Sequence, residues 1–156
     1  MDPDGRGTGE LGTVGAVANP FLPVPTPETQ PYWDGIAEEK VRITRCTDCS
    51  EPFFPPSPVC PHCSGQNVEW FDASGDATLY SYVIHHRPLR NWNTEGPRSV
   101  AIIELAEGPR LVSSVVGCDQ TSEALQLDMA LKATFVPFDE MTVLAFEPAS
   151  SESGAA

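Results

Sequence analysis

Two short cysteine pairs carry the clearest chemistry in this sequence: Cys46-Thr47-Asp48-Cys49 and Cys60-Pro61-His62-Cys63, with ten residues between them. Each pair can wrap two thiolates around one side of an ion, and two such knuckles complete a tetrahedron with metal–sulfur bonds of roughly 2.3 Å. Ten residues suffice for a hairpin between the knuckles, and Pro52, Pro55, Pro56, Pro58 and Pro61 stiffen it and lower the entropy of the unfolded loop. A four-sulfur site leaves no open position for water or substrate, so the expected ion is a structural Zn²⁺ that holds the fold and does not catalyse. Iron competes, because a sulfur tetrahedron also suits a one-iron electron carrier. A redox role for Cys-x-x-Cys requires a thioredoxin-like fold, which the strand order does not suggest. Metal binding is folding free energy in such a site, so removing the ion is expected to unravel the segment. Four thiolates leave a net charge of about −2 on the site, and Lys40, Arg42 and Arg45 stand just upstream to offset it. His62 reads as an exposed knuckle residue, and the leftover thiol, Cys118, as a small buried hydrophobe.

Little else points to catalysis. The sequence holds no Gly-rich phosphate loop, no GxSxG elbow and no HExxH. His85 and His86 are adjacent, and with Glu104 or Asp139 they could form an acid–base couple. A strand sends neighbouring side chains to opposite faces, so the two histidines cannot share one site, and no catalytic residue is assigned. The stretch from His85 to Ser99 differs in kind: Arg87, Arg90 and Arg98 face a single Glu95, with Trp92 among them. Arginines beside an aromatic ring can grip a phosphate and stack on a flat base, as in a nucleotide or coenzyme A headgroup. The same residues would serve a protein interface, or a solvated loop whose arginines pair with surface carboxylates.

The elements that must position these groups follow from composition and pattern. The chain has 156 residues, 40% hydrophobic and 20% charged, which suits one globular domain or two very small ones. Sixteen prolines and twelve glycines favour short strands and turns over a helical bundle. With 22 acidic against 9 basic side chains, the net charge of −13 repels a polyanion over most of the surface. No apolar run reaches the roughly 18 residues needed to span a bilayer, and the first twenty lack a cationic start, so a cytoplasmic protein without membrane contact is expected. Residues 1–19 read as a disordered tail and 20–40 as a Pro-rich arm leading into a helix over Glu28–Glu39, capped by Thr26 or Thr29. Tyr32, Trp33, Ile36 and Ala37 form its apolar stripe, which docks on its own domain or, through Tyr32 and Trp33, on a partner. Residues 41–71 form the ribbon. Five strands follow in 72–148, over Thr78–His86, Ser99–Ala106, Arg110–Gly117, Ala130–Val136 and Thr142–Glu147. Turns are expected at Glu107–Pro109 and Pro137–Glu140, and a single helical turn at Thr121–Leu125 between the third and fourth strands. That order is the partly open Greek-key barrel called the OB-fold. Residues 149–156 read as a second disordered tail.

In these residues the chain resembles the zinc-ribbon and OB-fold proteins of acyl-CoA metabolism, long known as a domain of unknown function. The resemblance rests on Thr26-Pro27-Glu28 through Trp33, Arg45-Cys46-x-x-Cys49, Phe54-Pro55-Pro56, Cys60-Pro61-x-Cys63, Ser74-Gly75 ahead of Tyr80-Ser81, and Glu104-Leu105-x-Glu107-Gly108-Pro109-Arg110. It spans Phe21 to about Pro148. Ala77 stands where the family often has a second Gly, Ser50 where Gly is usual, and Leu127-Asp128-Met129-Ala130 replaces a commoner Ile-Gly-Met-Pro. The resemblance implies a mainly β fold with a short N-terminal helix, a rubredoxin-like zinc ribbon and a five-stranded OB barrel. It also implies a non-catalytic accessory subunit of a thiolase-fold acyl-CoA enzyme: an aldolase that cleaves steroid side chains by a retro-aldol step, or an acetoacetyl-CoA thiolase or hydroxymethylglutaryl-CoA synthase. An acidic chain rich in Ala, Gly and Pro is more similar to the actinobacterial branch, in which relatives accompany the aldolase. Arg87, Arg90, Trp92 and Arg98 would then touch coenzyme A or the partner. The alternative class is a single-stranded nucleic-acid binder, against which stand nine carboxylates opposite Arg110 and Lys132 from Ser99 onward.

Overall fold

The computed structural model describes residues 22–87 and 96–150. The expected tail at 1–19, residues 151–156 of the second tail, and the candidate contacts Arg90 and Trp92 lie outside the described residues.

One helix, α1 (Gln30–Ala37), precedes eight strands: β1 (Val41–Cys46), β2 (Pro52–Phe53), β3 (Val68–Ala73), β4 (Asp76–His85), β5 (Arg98–Leu105), β6 (Arg110–Ser113), β7 (Ala130–Phe138) and β8 (Met141–Pro148). The helix is shorter than its pattern suggests at both ends. Thr29 and Gln30 donate their N–H groups to Thr26 O at 3.0 and 2.8 Å, which places Glu28 in a turn ahead of the helix. Thr29 sits at the N-cap but does not cap with its side chain; its hydroxyl accepts from Thr26 N–H at 2.9 Å. At the other end Glu39 adopts φ +57°, and Lys40 N–H and Glu39 N–H bond back to Gly35 O and Ile36 O, a Schellman stop. Gly35 and Ile36 are the buried residues of α1, while Tyr32 and Trp33 are half-buried and Ala37 is exposed, off the expected stripe. Gly35 is needed for contact: a Cβ there would lie 2.7 Å from Arg42 Cβ on β1.

The strands form two antiparallel sheets, ordered β2-β1-β3 and β6-β5-β4-β7-β8. In the larger sheet each expected strand is present, with ends shifted by a few residues. The third stops at Ser113, because beyond it the chain crosses to the far edge: Val115 makes a parallel bridge to Phe146 on β8. Val116 N–H donates to Phe146 O at 2.7 Å, and Phe146 N–H to Ser114 O at 2.9 Å, curling the sheet into a barrel. The barrel is partly open, since β4 pairs with β7 only through Asp76–Thr78, whereas it pairs with β5 from Ala77 to His85 across a bulge at Leu79–Ser81. The Glu107–Pro109 turn closes on Gly108 at φ +111°, and Leu125 N–H donates to Thr121 O at 2.9 Å as the expected single helical turn.

Leu79, Ala101, Ile103, Leu105, Leu111, Val115, Leu125, Leu131 and Phe146 fill the barrel. Val41 and Ile43 of β1 join that cluster, so the inner face of the small sheet packs on the barrel in one shared core. No described helix is long and apolar enough to cross a membrane.

Candidate metal centre

The two knuckles sit on the small sheet. Cys46 ends β1, Cys49 closes the first turn, and Cys60 and Cys63 stand on the loop that links β2 to β3. Cys46 N–H donates to Glu51 O at 3.0 Å, and Cys60 N–H to Gly65 O at 2.9 Å, so each knuckle is a tight backbone loop. Each loop closes on a serine in the left-handed region, Ser50 at φ +65° and Ser64 at φ +62°. That explains why glycine is usual after the first knuckle in the resembling family.

The four Sγ atoms lie within 4.8 Å of one another. Cys46 and Cys63 sulfurs are 3.6 Å apart, and Cys49 and Cys60 sulfurs 3.7 Å. A tetrahedron with metal–sulfur bonds of roughly 2.3 Å has edges of about 3.8 Å, so one ion fits the cage. The same separations are far beyond a disulfide bond of about 2.05 Å. Cys46 and Cys60 are fully buried, and with Phe53 they form the ribbon's own small core. The donor set is therefore closed and apolar on its inner side, which makes Zn²⁺ a structural cofactor here.

Electrostatics point the same way. Burial opposes a thiolate at Cys60, but the backbone N–H groups of Cys63 and His62 and the Cys49 thiol outweigh it and lower Cys60 to about 7. For Cys49 a backbone hydrogen bond from Glu51 favours the thiolate, yet desolvation and the three neighbouring sulfurs push it up to about 12. Four sulfurs in contact cannot all ionise without a cation among them. Two amides also aim at the sulfurs, His62 N–H at Cys60 Sγ and Gly65 N–H at Cys63 Sγ, each at 3.4 Å.

The expected charge compensation by Lys40, Arg42 and Arg45 is not what the structure contains. Arg42 bonds Asp72 at 2.7 Å and Glu38 at 3.0 Å, Lys40 reaches the same two carboxylates, and Arg45 pairs with Glu69. The register explains the difference, because β1 sets Arg42 opposite Asp72 and Arg45 opposite Glu69 on β3. Arg42 in turn holds the carboxyls of Asp72 and Glu38 below their usual range. A support that sequence reasoning missed lies between the knuckles: Asn67 donates to Asp48 at 2.8 Å, and a Cβ on Gly65 would meet Asp48 Oδ2 at 2.3 Å. The signal was Gly65, two residues past the second knuckle.

The other candidate residues are spread apart. Tyr32 stacks edge-on to Trp33 at 5.1 Å and tilts against Phe54 at 5.5 Å, and burial pushes its hydroxyl up to about 12. Arg87 is exposed just past β4, and Arg98 opens β5 opposite His85. His85 and His86 are exposed, and Glu104 is held by Arg110. Cys118 packs partly against the barrel core, where desolvation raises its thiol. The four cysteines form the one cluster of potential metal ligands among the described residues.

Two family profiles match the sequence in adjoining segments: the ChsH2 rubredoxin-like zinc ribbon domain over residues 33–69 and the ChsH2 C-terminal OB-fold domain over 70–136. A scaffold protein of Methanocaldococcus jannaschii that contains the DUF35 domain is 31% identical over 105 residues, covering 66% of this chain and 73% of the relative. The chain belongs to the DUF35 family. Its fold matches a solved chain titled Ltp2-ChsH2(DUF35) aldolase with a TM-score of 0.72 and 30% identity, over 81% of this chain and 98% of that one. The 3-oxo-4,17-pregnadiene-20-carboxyl-CoA hydratase alpha subunit of Mycobacterium tuberculosis is 31% identical over 121 residues. This DUF35 chain covers 38% of the length of that alpha subunit.

Proposed function

We propose that this DUF35 chain is a non-catalytic accessory subunit that binds and supports a thiolase-fold acyl-CoA enzyme, an aldolase making a retro-aldol C–C cut in steroid side-chain breakdown. The observation that carries this reading is the match, over 98% of its length, to the chain titled as part of an Ltp2-ChsH2 aldolase. The pregnadiene carboxyl-CoA relative supports the substrate class, and the scaffold relative supports the accessory role. A closed four-sulfur site and a barrel filled with aliphatic side chains support a holding role for this chain.

In this reading the protein works in the cytoplasm. The exposed remainder of Tyr32 and Trp33 contributes to docking, and Arg87 with Arg98 and the neighbouring Arg90 and Trp92 faces the partner or its coenzyme A. Co-expression with the Ltp2-type aldolase of the same host is the test, followed by size exclusion and a lyase assay with and without this chain. Co-elution, with lyase activity that depends on this chain, is the expected result. Failure to co-elute, or turnover of a thioester by this chain alone, would remove the proposal.

A further inference from the structure

Five of the eight exposed large hydrophobic residues among the described residues stand together on the outer side of β4, β5 and β6: Tyr80 (45% exposed), Val83 (64%), Val100 (46%), Ile102 (38%) and Val112 (71%). The register makes them neighbours. Val83 is directly opposite Val100, Ile102 is opposite Val112, and Ala101, Ile103 and Leu111 between them turn inward to the core. Cross-strand partners of this kind touch, so the five form a contiguous patch, whereas apolar residues scattered singly need no explanation.

The charge around the patch says what it fits. Both carboxylates on these strands are paired: Glu104 with Arg110, which also lies 3.6 Å over the Tyr80 ring, and Asp76, at the start of β4, with Lys132. At the opposite end stand His85 and Arg87, both exposed. In a chain of net charge −13 this is a neutral window with a cationic end. A second copy would bring −13 against −13, which disfavours self-pairing. We infer that the outer face of β4, β5 and β6 is the surface that docks the aldolase subunit, through an apolar ridge on that subunit with carboxylates facing the His85–Arg87 end. The inference rests on the accessory-subunit reading above and adds to it the face and the chemistry of its counterpart.

The test is binding of the full-length zinc-loaded chain to the host's Ltp2-type aldolase, measured by size exclusion and by surface-immobilised titration. Val83→Glu and Val112→Glu are each expected to weaken binding by at least about tenfold, with zinc content and far-UV circular dichroism unchanged. Leu127→Glu, at a residue that is 60% exposed outside this face, is the control expected to bind as wild type. Where a glutamate prevents folding, Val83→Thr and Val112→Thr keep the β-branched shape and remove apolar surface, with a smaller loss expected. Arg87→Glu is expected to slow association and to reduce its salt dependence. Wild-type affinity in all the face variants would overturn the face while leaving the subunit reading intact. A wild-type chain that binds no aldolase removes both. A homodimer that the same substitutions dissolve would assign the face to self-association and overturn the inference.

Discussion

The ribbon and the barrel are both built from antiparallel strands, yet different forces hold them. The barrel buries a continuous set of aliphatic side chains around Phe146, while the ribbon's own cluster contains Cys46, Phe53 and Cys60, two of them metal ligands. Apolar burial at about 25 cal/mol per Å² sustains the first, and the second has too little of it to order its knuckles. The contrast teaches that the ion replaces a core where the chain is too short to make one. The two regions meet at β1, whose Val41 and Ile43 belong to the barrel's core while Cys46 belongs to the ion's cage.

The largest effect that could break this contrast is loss of the metal. Cys60→Ser, or dialysis against a strong chelator, is expected to abolish zinc binding and to expose the Cys46, Cys60, Ser64 and Gly65 amides to rapid hydrogen exchange while β5 and β8 keep protection. Mass-resolved exchange with elemental analysis reads both, and simultaneous loss in the two regions would mean one cooperative unit. Next comes Phe146→Ala, expected to cost about 3–5 kcal/mol in chemical denaturation while the folded fraction still binds one zinc. Gly35→Ala forces a Cβ to within 2.7 Å of Arg42 Cβ, and overpacking of this kind is expected to cost about 1–3 kcal/mol, read as a lowered melting temperature.

Acid sharpens the contrast at the seam between α1, β1 and β3. Arg42 lowers the Asp72 and Glu38 carboxyls in the folded state, so their contribution is present above the unfolded values of 3.8 and 4.5 and fades as pH falls below them. Both carboxylates are largely exposed, so the effect is small. Arg42→Met is expected to lower stability at neutral pH slightly and to flatten the curve below about pH 4.5, as measured by denaturant titrations from pH 6 to 3 against wild type. The smallest effect concerns Ser50 and Asp128, at φ +65° and +64°. Ser50→Gly and Asp128→Gly are each expected to raise stability by about 0.5–1 kcal/mol, as relief of left-handed strain outweighs the added entropy of the unfolded chain.

How far the sequence could be read depended on the range of the interaction. Cys-x-x-Cys spacing and the alternation of Leu131, Ala133 and Phe135 are local patterns, and both the knuckles and the barrel strands were legible from them. The duty of Arg42 and Arg45 was not, because it depends on residues some 24 to 30 positions away that pairing with β3 brings opposite. The crossing of Val115 to Phe146 was hidden for the same reason: the run from Arg110 to Gly117 reads as one strand, and only closure of the sheet breaks it. Thr29 misled as a cap because its hydroxyl had a nearer acceptor role with Thr26 N–H. The resemblance held the meaning of Ser50 and Asp128 in advance, since glycine positions in a family report backbone angles.

The bridge at Val115 has one more consequence. A sheet whose outermost strands stop short offers bare amide and carbonyl groups to any passing chain, and such seams recruit strangers into ladders. Here Val116 and Phe146 stitch the two margins together over that stretch, which removes one bare edge from those a neighbouring chain could extend.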